Sequence, residues 1–254
     1  TVIISTYFKG DRMRKLLVSG CSLSSGCGFT DTNIERNWPN QLAERIDATL
    51  TNLAVTGYDN PGIFINAIEQ LIQQDFDICL IQLSSIDRIV LSPNWNGKGL
   101  INNRNMSNGL FSDKQYQSFY KSFLLLNQHA EHWNRLLKII HSVQHLNKQG
   151  KYVRFVNGVL DWDQELFADP CKSKFLDRLI DIDNICDDDI KKLRTLVYNQ
   201  ARSINLDFFI NPFNNFQKIK IDDISSNDAH PGVKSHNLYT DLIFNYLTRD
   251  KINA

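Results

Sequence analysis

Two short segments near opposite ends of the chain carry residues that could act together in nucleophilic catalysis. Residues 20–26 read Gly-Cys-Ser-Leu-Ser-Ser-Gly and place Ser22 in a glycine-rich turn directly behind an apolar run. Residues 227–232 read Asn-Asp-Ala-His-Pro-Gly and place Asp228 two residues before His230. A serine, a histidine and a carboxylate are the parts of a nucleophile, a general base and a group that orients the base. The structural alternatives are a turn serine that bonds its own backbone and a histidine that caps a helix.

The rest of the sequence predicts alternating strands and helices that would position these residues. The expected strands are residues 15–19, 50–55, 78–83, 152–156 and 206–210. The expected helices are residues 39–48, 61–73, 115–147, 176–181, 188–204 and 233–247. Asn60 is the expected cap of the helix that begins at residue 61. This alternation predicts an α/β fold, a flavodoxin-like three-layer α/β/α sandwich with a central parallel sheet of about five strands.

Several candidate segments directly follow predicted strands. They are the turn that carries Ser22, the glycine at Gly57, residues 84–88 and residues 157–158. In a parallel α/β sheet, ligands bind outside the carboxyl ends of the strands. The topology therefore predicts that these segments meet at one edge of the sheet.

The ordered segments resemble the sequence blocks of the SGNH (GDSL) hydrolases. Residues 20–26 resemble the Gly-Asp-Ser-Leu block, with Cys21 in place of the aspartate. Residues 52–57, Asn-Leu-Ala-Val-Thr-Gly, resemble the second block, and residues 228–231, Asp-Ala-His-Pro, resemble the last. His236 stands where many members carry a second, structural histidine. Because the blocks follow the family's order, the resemblance extends over the whole fold.

The resemblance implies a role for each matching residue. Ser22 would attack an ester carbonyl, and His230 would take its proton and return it to the leaving alcohol. Asp228 would orient His230 and stabilise its cation. From the sequence, Asp222, Asp223 or a backbone carbonyl could do the same. The family needs no metal and no organic cofactor for this chemistry.

The third block departs from the family pattern at the oxyanion hole. The resemblance implies that the backbone N–H groups of Ser22 and Gly57 supply two donors of this hole. The family's third donor is an asparagine in a Gly-x-Asn-Asp block, but the matching segment here reads Gln-Leu-Ser-Ser-Ile-Asp-Arg and has Ile86 at that position. Ser85 and Arg88 are the nearest replacements. Arg88 could instead bind an anionic group of the substrate or form an ion pair with an aspartate. The segment is more similar to a divergent branch with a Thr-Ser-x-x-Arg-like third block.

Three further features are interpreted as structural. Cys21 is expected in the core, because adjacent residues of an extended segment point in opposite directions and Ser22 faces the site. Four histidines share one predicted helix but lack the glutamate of the zinc-protease motif, namely His129, His132, His141 and His145. An aspartate-rich segment lacks the central glycine and closing glutamate of a calcium loop, namely Asp181, Asp183, Asn184 and Asp187. We therefore expect no metal site.

Length and charge limit the classes of partner. The chain has 254 residues, of which 42% are hydrophobic, enough for one buried core. We expect a single domain over residues 13–254, preceded by an N-terminal extension or expression remnant over residues 1–12. The 28 basic and 28 acidic residues give zero net charge, which argues against a nucleic acid or an anionic membrane as partner. No stretch approaches the roughly 18 apolar residues of a membrane span.

The cysteines and the N-terminus indicate a compartment. The five cysteines are odd in number and form no Cys-x-x-Cys pair, so a disulfide framework is not expected. Residues 2–4 are too short for a secretory signal and lack a basic lead. A reducing, cytoplasmic location is therefore expected.

An asparagine-rich segment suggests the substrate. Residues 92–112 are rich in asparagine and glycine and are expected to form a long loop. Aromatic side chains flank it, and amides with aromatic faces suit a sugar: Trp95, Phe111, Tyr116 and Tyr120. We therefore expect a serine esterase that removes or transfers a small acyl group, such as acetyl, on a carbohydrate or other small-molecule ester.

The alternative is a non-catalytic relative that binds a glycan or a protein. A phosphate-handling enzyme fits less well, since the chain has no Gly-x-x-x-x-Gly-Lys-Ser/Thr motif. The sequence leaves the oligomeric state open.

Overall fold

The structure is a computed structural model that describes most of the chain. The described residues are 13–30, 34–86, 89–90, 100–101, 129–169, 171–179 and 187–249. Some sequence predictions lie outside them, namely those for residues 1–12, Arg88, the asparagine-rich loop with its flanking aromatics, residues 115–128 and residues 181–186.

The strands and helices alternate along most of the described chain. The strands are β1 (Arg14–Ser19), β2 (Ala48–Asn52), β3 (Ile78–Leu83), β4 (Ile89–Val90), β5 (Leu100–Ile101), β6 (Val153–Asn157), β7 (Phe209–Ile210), β8 (Asp223–Ser225) and β9 (Asp228–Pro231). The α-helices are α1 (Ser22–Ser25), α2 (Trp38–Arg45), α3 (Asn60–Gln73), α4 (His129–Lys148), α5 (Glu165–Ala168), α6 (Lys174–Leu179), α7 (Asp187–Ala201), α8 (Phe216–Ile219) and α9 (Val233–Arg249). Short 3₁₀ turns cover Ile34–Arg36 and Leu206–Phe208.

The central sheet has five parallel strands in the order β2-β1-β3-β6-β7. Every residue of β3 is buried, as expected for a strand covered on both faces. Helix α2 packs against α9, and α3 packs against α4, so helices flank the sheet. The predicted three-layer α/β/α fold with a parallel sheet of five strands is confirmed.

Local hydrogen bonding changes two details of the prediction. The cap of α3 is Asp59, whose side chain accepts the Gly62 N–H at 2.9 Å. Asn60, the predicted cap, instead pairs with the backbone of Ser84 at the end of β3, through its Oδ1 at 2.8 Å and its Nδ2 at 3.3 Å. The predicted strand 206–210 is divided into a 3₁₀ turn and the two-residue β7, because the Asn205 side chain accepts the Asp207 N–H and closes a turn.

The hairpin of β8 and β9 is not among the sequence predictions. The two strands are antiparallel and pair Asp223 with Pro231 and Ser225 with Asp228. Both residues of the aspartate–histidine pair therefore lie on β9, at the entrance to α9. Polar residues without a two-residue apolar period gave no strand signal here.

The described cysteines differ in their exposure, and Cys21 lies in the core as expected. Cys21 and Cys79 are buried, Cys27 is half-buried and Cys171 is exposed, and all four are free thiols. Within the part of the chain that the structure describes, no helix is both long and apolar enough to span a bilayer.

Candidate active site

Ser22 lies at the first turn after β1. It is the first residue of the four-residue helix α1 and is 8% exposed. Gly26 ends α1 in the left-handed conformation, with φ +77°, and donates its N–H to the Ser22 carbonyl. The first N–H groups of a helix have no partner within the helix, so the Ser22 N–H is not used by α1 itself. The turn therefore presents both a hydroxyl and a backbone donor.

The turn that contains Gly57 lies directly beside the Ser22 turn. The Tyr58 N–H donates to the Val55 carbonyl at 3.2 Å, and Gly57 has φ +90° at the third position, which favours glycine. The Val55 N–H donates to the Gly20 carbonyl at 3.1 Å, which fixes the second turn against the first.

Two side-chain contacts reinforce this junction. The hydroxyls of Ser25 and Thr56 are 3.0 Å apart, and Asn52 Nδ2 donates to the Ser24 carbonyl at 2.9 Å. Across the described residues, neither the Ser22 N–H nor the Gly57 N–H donates to another protein group. The junction therefore holds two backbone donors on adjacent turns, and neither donor is used by a described protein group.

Asp228 and His230 form a hydrogen-bonded pair. Asp228 Oδ1 is 2.6 Å from His230 Nδ1 and also accepts the His230 backbone N–H at 3.0 Å. The backbone N–H, and then the imidazole, hold the pKa of the Asp228 carboxyl below its ordinary value. Each side chain is 34% exposed. With Nδ1 directed at the carboxylate, the Nε2 side of the ring is the side left for proton exchange.

The other two acidic candidates have different partners. Asp222 Oδ1 accepts the Ser235 N–H at 2.8 Å, and its Oδ2 accepts the Lys234 N–H at 3.1 Å, so Asp222 holds the start of α9. Asp223 pairs with Lys220. Of the three aspartates left open by the sequence, Asp228 is the one bonded to the imidazole.

A glycine joins the serine turn to the aspartate–histidine pair. Gly28 has φ +89°, and a β-carbon there would lie 2.6 Å from Asp228 Oδ2 and 2.5 Å from Ile224 Cδ1. Only a residue without a side chain lets the chain after α1 pass so close to the carboxylate. The segment that follows Ser22 therefore packs against Asp228. Among the described contacts, no hydrogen bond joins Ser22 to His230, and in free enzymes such bonds are often long.

His236 is a structural residue, as its position predicts. It is 2% exposed, and its Nδ1 accepts the Trp38 backbone N–H at 3.1 Å. The rings of Phe29 and Phe216 stand edge-on to it at 5.0 and 4.9 Å. Burial lowers the pKa of this imidazole from 6.5 to about 4. His236 is therefore neutral and joins α2 to α9.

This burial predicts a pH-dependent stability. The unfolded chain takes up a proton at His236 below pH 6.5, whereas the folded chain resists it down to about pH 4. The free energy of unfolding should therefore fall by about 3 kcal/mol as the pH drops across that window. Urea titrations of the wild type and His236→Gln between pH 4 and 7 should show a slope smaller by about one proton in the variant. His145→Gln, on an exposed residue of α4, is the control, and equal slopes in all three proteins would contradict the prediction.

The third-block segment lies at the carboxyl end of β3. Ser84 is fully buried and its backbone is bound by Asn60, while Ser85 and Ile86 are partly exposed. Ile86 packs against the core and lines a small cavity with Asp59, Asn60, Pro61, His132, Arg135 and Leu136. The Asn60 amide is instead paired with the Ser84 backbone, because its Nδ2 donates to the Ser84 carbonyl. Arg88, which was predicted to replace the missing donor or to bind the substrate, lies outside the described residues.

The described histidine side chains of α4 lie in separate surroundings. His132 is buried, His141 lies 3.0 Å from the Ser203 hydroxyl, and His145 lies 3.0 Å from the Gln149 amide. Within the described ranges, no group of three or more histidine, cysteine or acidic side chains is placed to hold a metal ion.

Sequence analysis missed two residues that shape this edge. One is Gly28, and the other is Gln82, whose amide lies fully buried beneath the Ser22 turn. Gln82 had a detectable signal, because it is the one polar residue in the otherwise apolar run 78–83, and a buried amide needs partners. Gly28 carried no signal that distinguishes it from an ordinary turn glycine.

Comparisons with known proteins give the following matches. No family model matches the chain. No curated protein matches its sequence. The solved psychrotrophic esterase EstA from Pseudoalteromonas sp. is 15% identical, with a TM-score of 0.48 over 95% of this chain and 100% of that chain. A lipolytic G-D-S-L protein from Veillonella parvula is 13% identical, with a TM-score of 0.44 over 93% and 99%. An acetyl xylan esterase is 13% identical, with a TM-score of 0.42 over 91% and 98%. The solved structures to which this chain is similar thus include GDSL (SGNH) hydrolases, the family that its sequence blocks also resemble.

Proposed function

We propose that this protein is a serine ester hydrolase of the SGNH type. The observation that carries the proposal is the Asp228–His230 hydrogen bond at 2.6 Å, because it prepares an imidazole as a general base. Gly28 packs against Asp228 and brings the chain that follows Ser22 to this pair. The order of these residues along the chain matches the family's blocks.

The reaction proceeds in two steps through an acyl-enzyme. The Ser22 Oγ forms a bond to the ester carbonyl carbon while its proton passes to His230 Nε2. The N–H groups of Ser22 and Gly57 stabilise the resulting oxyanion. The bond to the alkoxy oxygen then breaks, and His230 returns the proton to the departing alcohol. Water, or a second alcohol in a transfer reaction, repeats these steps in reverse order and releases Ser22.

The third oxyanion donor is assigned to Ser85 or Arg88. Both follow β3 near Ile86, whose side chain has no polar hydrogen to offer. Ser85 is partly exposed at the same edge of the sheet as the Ser22 turn. Arg88 also remains the candidate for binding an anionic group of the substrate.

The substrate class proposed is a small acyl ester, with acetyl on a carbohydrate as the specific case. The support is compositional: the asparagine-rich residues 92–112 and their flanking aromatics offer amides for sugar hydroxyls and rings for sugar faces. The zero net charge favours a neutral substrate over a nucleic acid.

The proposal is tested by hydrolysis of p-nitrophenyl acetate and by mass spectrometry after treatment with a fluorophosphonate. Turnover together with a single adduct on Ser22 supports the acyl-enzyme. Acetylated xylan oligosaccharides and simple aryl acetates then distinguish a carbohydrate esterase from a general one. Absence of both turnover and adduct would refute the proposal.

Ile86 favours a second candidate function, a non-catalytic module that binds a glycan or a protein in the same cleft. Loss of one oxyanion donor typically lowers turnover by roughly 10²–10³. If nothing replaces the donor, the cleft could still bind a ligand. Glycan binding without an adduct on Ser22 would favour this candidate.

Asp228→Asn tests whether the Asp228 carboxylate orients the proposed general base, His230. The amide retains the shape but presents an N–H or a neutral oxygen to His230, so the imidazole loses its preferred tautomer and the support for its cation. We expect kcat for p-nitrophenyl acetate to fall by about 10²–10⁴, with a smaller change in KM. Asp223→Asn, on the neighbouring strand, is the matched control. Equal effects of the two substitutions would remove Asp228 from the mechanism.

A further inference from the structure

The side chain of Gln82 is buried directly beneath the turn that carries Ser22. Gln82 is 0% exposed and is the fifth residue of β3, an otherwise apolar strand that reads Ile-Cys-Leu-Ile-Gln-Leu. Burying an uncharged amide costs free energy unless it forms hydrogen bonds. The contacts of this amide therefore indicate what it does.

All three hydrogen bonds of the Gln82 oxygen come from the Ser22 turn. Oε1 accepts the backbone N–H of Cys21 at 3.3 Å, the Cys21 thiol at 3.8 Å and the hydroxyl of Ser24. Cys21 directly precedes Ser22, and Ser24 follows it by two residues. A single amide oxygen thus holds the chain on both sides of the proposed nucleophile.

Two glycines make room for this amide. A β-carbon on Gly20 would lie 2.6 Å from Gln82 Oε1, and a β-carbon on Gly158 would lie 2.5 Å from its Nε2. Side chains at either position would push the amide out of place. The ends of β1 and β6 therefore enclose the Gln82 side chain between two bare backbones.

The nitrogen of the Gln82 amide differs from the oxygen in its hydrogen bonding. In the described part of the chain, Gln82 Nε2 is buried without a hydrogen-bond partner, which costs about 1–3 kcal/mol. An apolar side chain would avoid that cost. The contacts of Oε1 are thus the ones that distinguish glutamine from an apolar residue at this position.

Helix α1 needs such an anchor because it is only four residues long. A helix of one turn is unstable alone, and its direction is set by tertiary contacts. Ser24 is completely buried, and its carbonyl accepts the Asn52 amide, so this turn is held from two strands.

We propose that Gln82 is a positioning residue that fixes the direction of the Ser22 hydroxyl and of the Ser22 N–H. This inference rests on the proposed function, since Ser22 must be the nucleophile for its direction to affect a rate. Gln82 does not touch the substrate, and it acts through the backbone of Cys21 and the hydroxyl of Ser24.

The test compares substitutions that keep or remove the acceptor. Gln82→Met has a similar length but lacks the oxygen that accepts these hydrogen bonds, whereas Gln82→Glu retains an oxygen in the same place. We expect Gln82→Met to lower kcat for p-nitrophenyl acetate by about 10–100-fold, with KM within about twofold, because small misplacements of reacting groups are costly. Gln82→Glu should recover most of the lost kcat. The rate of fluorophosphonate labelling of Ser22 should follow kcat.

Two further variants keep the test decisive. Gln144→Met removes another amide whose nitrogen is buried without a partner, on α4 away from the Ser22 turn, and should leave kcat unchanged. If Gln82→Met does not fold, Ser24→Ala removes only one of the three hydrogen bonds to Oε1 and should lower kcat by a smaller factor.

The possible failures are distinguishable. No adduct on Ser22 in the wild type would overturn the proposed function, and the role of Gln82 with it. A wild-type adduct with unchanged kcat and labelling in Gln82→Met would overturn the role of Gln82 alone. Equal losses in Gln82→Met and Gln82→Glu that follow the melting temperature would also overturn it, because they indicate a purely structural residue.

Discussion

Ser22→Ala is expected to abolish ester hydrolysis and the fluorophosphonate adduct together. Removing the nucleophile of a serine hydrolase lowers kcat by about 10⁶, and the remaining donors of the oxyanion hole leave a small residual rate. Ser22 is the first residue of α1 and is flanked by contacts of Cys21 and Ser24, so its own hydroxyl is not needed to hold the turn. The measurement is kcat for p-nitrophenyl acetate, with intact-protein mass spectrometry after labelling.

The matched control for this substitution is Ser25→Ala, three residues later in the same turn. Ser25 bonds the Ser22 carbonyl and the Thr56 hydroxyl but is not proposed to react. It should keep the adduct. An adduct that persists in Ser22→Ala and disappears in Ser25→Ala would transfer the nucleophile to Ser25. Circular dichroism and melting temperature should be unchanged in Ser22→Ala.

His230→Ala is expected to have the second largest effect. Without the imidazole, no group takes the Ser22 proton, so kcat should fall by about 10⁴–10⁶. The His230 side chain is 34% exposed, so the space left by the substitution is open to solvent. Added imidazole should therefore restore part of the activity, with a rate that increases with its concentration. The measurement is kcat for p-nitrophenyl acetate with and without imidazole.

Two controls define the meaning of the His230 result. His141→Ala changes an exposed histidine of α4 and should leave kcat unchanged, with no response to imidazole. Full activity in His230→Ala would show that another group is the base. His236 is a poor substitute, because burial lowers its pKa and so disfavours proton uptake, and because its Nδ1 already accepts the Trp38 N–H.

The fold could be predicted largely from local patterns. The apolar run Ile78–Leu83 is observed as β3 with the expected bounds, because a fully buried parallel strand is apolar throughout. The predicted strand 50–55 is observed as Ala48–Asn52, since the Leu53 N–H and Val55 N–H bond to β1 and Gly20 outside a regular strand. The β8–β9 hairpin could not be predicted, because tertiary contacts, such as the close approach of Gly232 to Asp222, set its shape.

The sequence by itself determined the α/β class and the candidate identities of Ser22, His230 and Gly57, since these follow from strand periodicity and from ordered motifs. Only the tertiary structure decided which of three aspartates bonds His230, because a hydrogen bond depends on distances that no spacing specifies. It also placed Gln82 beneath the Ser22 turn, although 58 residues separate Gln82 from Ser24 along the chain. Such contacts form only when parallel strands meet at one edge of the sheet, and that alignment is a property of the packed fold.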